Sequence, residues 1–220
     1  MTTIKYTLVR SGRRTIELTV ENDARLVVRA PYRVSDKEIA DFIRKKEHWI
    51  LEKQLQVSAI EEKYSAVTAA DGQTIMYLGN TYAICVIDCD SISIEGTVMY
   101  LPQDCSTDDI AQWLKEEALR VISERTDYYA DLMGVTYSVL KLSNAKRRWG
   151  SCGVNDSLNY AWRLIMCPMP VIDYIVVHEL SHITYKNHGK WFWASVKMVL
   201  PNYKKQQDWL KANRKLMEII

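Results

Sequence analysis

The chain has 220 residues, 48% of them hydrophobic and 25% charged, with a net charge of +2. That is enough for one large or two small domains with a real core; it excludes a disordered chain, and it gives no bulk charge that would call for a polyanionic partner. No run approaches the roughly 18 apolar residues of a membrane span, the start lacks the apolar core of a signal peptide, and five irregularly spaced cysteines (Cys85, Cys89, Cys105, Cys152 and Cys167) read as reduced thiols of a cytoplasmic protein.

The first third alternates with the period of a strand. Ile16, Leu18 and Val20 share one face, as do Leu26, Val28 and Ala30, with Asn22-Asp23 as the turn between them. Ser35-Asp36-Lys37-Glu38 is a capping box, and Ile39, Phe42, Ile43, Trp49 and Ile50 follow at helical spacing, which predicts a helix to about Gln56. Residues 61–70 read as a connector. Strands resume near Gln73, with hairpin turns at Leu78-Gly79-Asn80 and Glu95-Gly96. Composition shifts at Pro102, so the expected division is a β-rich region over 1–102 and a second domain over 103–220. Ser106 can cap a long helix that Gly134 ends. Short strands are expected around Tyr137–Leu142, Arg148–Gly150 and Leu158–Trp162. Helices are then expected over Val171–Tyr185, Lys190–Leu200 and Tyr203–Leu216, giving an α+β fold.

The stretch that carries chemistry is His178-Glu179-Leu180-Ser181-His182, an H-E-x-x-H. Residues four apart on a helix lie about 40° from each other, so both imidazoles can face one ion. Neutral imidazole suits zinc, and Glu179, directly after the first ligand, can take a proton from a water on the metal. His188 lies six residues past His182, about 240° round a continuous helix, and joins the pair only if the chain turns. Asn187 and Gly189 bracket it, and both tolerate a left-handed turn. The spacing H-E-x-x-H-x5-H matches the metzincin type of zinc site, except that Tyr185 stands where metzincins place glycine. The competing reading is a buried helix with two core histidines. His48 reads as a solvent-exposed residue.

Beyond these residues the sequence resembles the bacterial YgjP-like zincin-type metallohydrolases (DUF45) over nearly its whole length. The resemblance rests on Arg148-Trp149-Gly150-Ser151-Cys152, Leu158-Asn159, the run Pro170 to His182, Asn187-His188 and Trp191-Phe192-Trp193. Upstream it includes the basic residues within Arg10–Arg14, Ala30-Pro31, Trp49, Asp71-Gly72 and Leu78-Gly79. It implies a zincin-like helical and β C-terminal half bearing zinc behind a β-rich N-terminal half. It also implies a metallopeptidase, a class to which a UTP pyrophosphatase role has been attached as well.

Arg148, Trp149 and Ser151 are candidate substrate-binding residues, because a strand beside the ligand helix can form the cleft wall and arginine can hold a carboxylate or phosphate. The bland alternative is core packing with a solvated basic rim. The expected substrate is a peptide or protein. The alternative is a nucleoside triphosphate at the same site, with Lys146, Arg147 or Arg148 on the phosphates. A reading of another class is a nucleic-acid-binding or scaffold module with structural zinc, for which Lys45-Lys46, Lys146-Arg147-Arg148 and Lys204-Lys205 would have to share a face. Glu179 argues against it, since a structural site needs no general base.

Overall fold

The computed structural model describes residues 4–21, 23–63 and 68–218, apart from the side chains at 56 and 58–63. Contacts divide the chain into two compact units, Met1–Ser65 and Ala66–Ile220. The composition shift at Pro102 lies inside the second.

In the first unit, β1 (Tyr6–Ser11), β2 (Glu17–Val20) and β3 (Leu26–Pro31) form a sheet of order β1-β3-β2. β2 and β3 are the expected antiparallel pair, with Leu18 opposite Val28 and Val20 opposite Leu26. Asn22 lies outside the described residues; Ala24, beyond it in the turn, takes a left-handed φ of 61°. β1 was not marked by the alternation and pairs parallel with β3, a partner twenty residues away. Ser35 and Glu38 cap α1 (Asp36–Lys45) reciprocally, as the motif predicts. The single helix expected to Gln56 is instead two, since the backbone leaves helical geometry at Lys46 before α2 (Glu47–Lys63). Leu26, Val28, Ile39, Ile43 and Ile50 close the core between sheet and helices. His48 is exposed.

The second unit opens with β4 (Thr74–Tyr77), β5 (Asn80–Ile87), β6 (Ser93–Glu95) and β7 (Val98–Pro102), in the order β4-β5-β7-β6. Leu78 and Gly79 form the first hairpin turn with positive φ at both positions, as a type I′ turn requires. Ser106 caps α3 (Thr107–Met133), and Gly134 ends it in the left-handed conformation. β8 (Val139–Ser143), β9 (Gly150–Cys152) and β10 (Ser157–Ala161) make a third sheet, ordered β8-β10-β9. β9 begins two residues later than the expected Arg148–Gly150, because Trp149 still belongs to the loop and only its carbonyl is tied, by the Ala161 amide at 2.8 Å. After a 3-10 turn, Trp162–Met166, come α4 (Met169–Thr184), α5 (Lys190–Val199) and α6 (Tyr203–Ala212), then a closing 3-10 turn at Arg214–Glu218. The last expected helix is thus broken at Asn213. No described helix is long and apolar enough to cross a membrane.

Candidate active site

Pro170 sits in the first turn of α4, where its missing N–H costs nothing. The helix is then apolar nearly all round, with Val171, Ile172, Ile175, Val176 and Leu180 buried. Among its polar residues, Asp173 is paired with Arg125. Ser181 satisfies its hydroxyl on the Val177 carbonyl at 2.7 Å, which leaves His178, Glu179 and His182 as the groups that need other partners.

The two helical imidazoles stand on the same side of α4, their ring centroids 5.1 Å apart, and the chain brings His188 back to them. Its Nε2 lies 3.0 Å from Nε2 of His178 and 3.1 Å from Nε2 of His182. Nitrogens about 2.0–2.1 Å from a tetrahedral ion stand about 3.4 Å apart, so the spacing is that of donors sharing one centre. Among the described residues this is the one group of three or more such side chains placed to hold a metal ion.

The route to His188 differs from the one the sequence suggests. Tyr185 leaves the helix in an extended conformation, φ −119° and ψ 97°, and neither Asn187 nor Gly189 takes a positive φ. No left-handed residue is needed, so a tyrosine can stand where metzincins have glycine. Tyr185 also does something glycine would do equally well: its carbonyl lies 3.0 Å from Nδ1 of His182. A carbonyl only accepts, so that Nδ1 carries the proton and Nε2 presents its lone pair. On the other side, Nδ1 of His178 lies 3.4 Å from the Tyr174 hydroxyl, which accepts a 3.0 Å hydrogen bond from the Gln207 amide.

Burial also favours the neutral form of the two imidazoles on α4. It pushes His178 down to about 3, helped by the neighbouring His182 and His188, and it lowers His182 as well. A neutral imidazole is the form that binds a metal. His188 is exposed, which leaves the group open on one side.

Glu179 is only 5% exposed. Burial raises its carboxyl to about 7, against the opposing pull of a Cys152 amide hydrogen bond and the Arg148 charge. Room for it comes from Gly150: a Cβ there would lie 2.7 Å from both Cγ and Oε1 of Glu179. A cleft of about 310 Å³ opens at this point, lined by Trp149, Gly150, Tyr174, Ile175, His178 and Glu179, and by Gln207, Leu210 and Lys211 of α6.

Trp149 therefore stands in the cleft wall. Arg148 is exposed and close enough to act on Glu179. Ser151 alternates away from Gly150 and Cys152, onto the other face of β9, and does not line the cleft. Lys146, Arg147, Lys204 and Lys205 are exposed. The Cys152 thiol is raised by burial, the opposite of an activated nucleophile. Gly150, Tyr174, Gln207 and Phe192 were not singled out as site residues. The one-turn spacing of Tyr174 before His178 was a signal that could have been used; the others are contacts between separate elements.

Residues 14–213 match a family model described as "YgjP-like, metallopeptidase domain". No curated protein matches the chain. Two solved structures share local similarity with it. One is the metallopeptidase zymogen of Pyrococcus abyssi abylysin, 19% identical, with a TM-score of 0.38, covering 40% of this chain and 90% of that one. The other is the zymogen of Methanocaldococcus jannaschii jannalysin, 20% identical, with a TM-score of 0.38, covering 43% and 96%. The family match takes in both the strand that makes room for Glu179 and the helix that carries it, and with 14–213 of 220 residues inside it the chain belongs to the YgjP-like family of metallopeptidase domains.

Proposed function

We propose that the protein is a zinc metallopeptidase in which His178, His182 and His188 hold the ion and Glu179 is the general base. The observation that carries this is the convergence of three imidazole nitrogens, 3.0 and 3.1 Å apart, beside a buried carboxyl raised to about 7. Three imidazole nitrogen donors with one side open suit zinc in a catalytic rather than a structural role. Bound there, the ion supplies Lewis acidity to a carbonyl and lowers the pKa of a water.

The chain's own residues do the rest. The Tyr185 carbonyl fixes the tautomer and ring plane of His182, and the Tyr174 hydroxyl meets Nδ1 of His178. Gly150 and the Cys152 amide hold the Glu179 carboxylate against β9. Held there, that carboxylate can take a proton from the attacking water and return it to the leaving amine. Trp149 and Leu210 give the cleft apolar walls for a peptide side chain, and Lys211, which ion-pairs with Asp208, is the cation among its lining residues.

The test is a comparison of wild type with Glu179→Gln on an unfolded protein, with a nucleoside triphosphate assayed in parallel. Glutamine keeps the shape but cannot accept the proton, so peptide hydrolysis should fall by about 10²–10⁴-fold with metal content unchanged. Wild-type turnover in Glu179→Gln would sink the general-base role, and hydrolysis of the triphosphate in place of the peptide would sink the substrate class.

A further inference from the structure

His178 and His182 each have a partner for Nδ1, as described above. His188 is different. It sits in the short link between α4 and α5, it is exposed, and among the described residues its contacts are the other two Nε2 atoms and aromatic rings. A surface imidazole with no hydrogen bond to fix its ring should turn freely, yet this one is aimed at its neighbours.

Rings supply the missing restraint. Trp193 stacks on His188 with centroids 5.6 Å apart and planes 24° from parallel. Tyr203, the first residue of α6, stacks on Trp193 in turn, at 5.4 Å and 14°. Tyr174 continues the stack at 6.2 Å and 15°, and its hydroxyl meets Nδ1 of His178. The run closes on itself through the ligands. Beneath it, buried Phe192 touches all three imidazoles, with centroids 4.9, 4.5 and 4.7 Å from His178, His182 and His188.

We infer that Trp193, backed by Tyr203, is the positioning residue for His188: a stacked aromatic brace that takes the place of a hydrogen-bonded partner and couples the third imidazole to the first. The inference rests on the three-histidine metal site proposed above. Stacking suits this position because planar rings restrict rotation of an imidazole while leaving its Nε2 lone pair free. It also makes the site depend on α5 and α6, which contribute no ligand.

Trp193 also meets His178 edge-on at 5.9 Å, so a packing role would make it matter whether or not His188 is present, whereas a brace makes its effect run chiefly through His188. Zinc affinity is therefore measured by competition with a chromophoric chelator in wild type, Trp193→Leu, His188→Ala and the double variant. The visible absorption of the cobalt(II)-loaded proteins gives the ligand geometry. Trp193→Leu should weaken zinc on the order of tenfold, the lower end of what loss of an outer partner costs, and alter the cobalt spectrum. The double variant should bind no more weakly than His188→Ala alone, and Trp193→Phe should recover most of the loss. If Trp193→Leu does not fold, Tyr203→Leu must show the same His188-dependent loss. Wild-type affinity in the leucine variants, or an equal loss in the His188→Ala background, overturns the brace. A wild type that binds no zinc overturns the metal site and the brace together.

Discussion

The sheet of the first unit and the sheet beside the candidate active site are built alike. In β1-β3-β2 the first strand runs parallel to the third and the second pairs antiparallel on its other side; β8-β10-β9 repeats that arrangement strand for strand. Even β5-β7-β6 within the remaining sheet follows it. The sheets differ at one core-facing position of the edge strand. In β2, Leu18 sits opposite the fully buried Val28 and packs against the core. In β9 the residue opposite the fully buried Tyr160 is Gly150, and the space a side chain would fill is taken by the Glu179 carboxylate from α4. Strand order alone therefore confers no chemistry. A side chain left out at the edge of an ordinary sheet lets a carboxylate stand in a buried place, where its pKa rises to about 7.

The most damaging way to break this contrast is to give β9 the side chain it lacks. In Gly150→Ala the new Cβ would fall 2.7 Å from Glu179 Cγ, closer than real contacts allow, so the carboxylate has to move. Peptide hydrolysis should drop by at least about 10²-fold, the lower end of a general-base contribution, while zinc content stays at the wild-type level. An alanine variant with full activity would mean that Glu179 is not held by this strand. The smallest effects should come from the caps that end the other two sheets' exits. Ser35→Ala and Ser106→Ala each remove a reciprocal capping box and should lower stability to urea by about 1 kcal/mol, with kcat unchanged. Unchanged stability in both variants would mean that the boxes contribute nothing.

Much of this contrast was hidden in the sequence. The H-E-x-x-H spacing and the apolar run before it are local, so α4 and its facing imidazoles were legible from residues 171–185. The capping boxes at Ser35 and Ser106 were equally local, and both are present. The role of Gly150 was not, because a strand read over Arg148–Gly150 does not say what its glycine faces, and that role depends on a carboxylate 29 positions later. β1 escaped for a related reason: a parallel edge strand takes its register from a partner twenty residues on. The turn to His188 was expected at left-handed residues, since helical geometry forbids the contact without a bend. An extended Tyr185 achieves the same reversal and adds a hydrogen bond that spacing cannot express. Which of Trp191, Phe192 and Trp193 touches the histidines depends on how α5 sits on α4, which their run in the sequence does not express.

Metal analysis of the purified protein bears most directly on the central claim, that three histidines from α4 and the link after it form one metal centre. Wild type should carry about one zinc per chain, and His178→Ala and His182→Ala should each lose it, because two remaining nitrogens hold zinc far less tightly than three. Stoichiometric zinc surviving both substitutions would contradict the account.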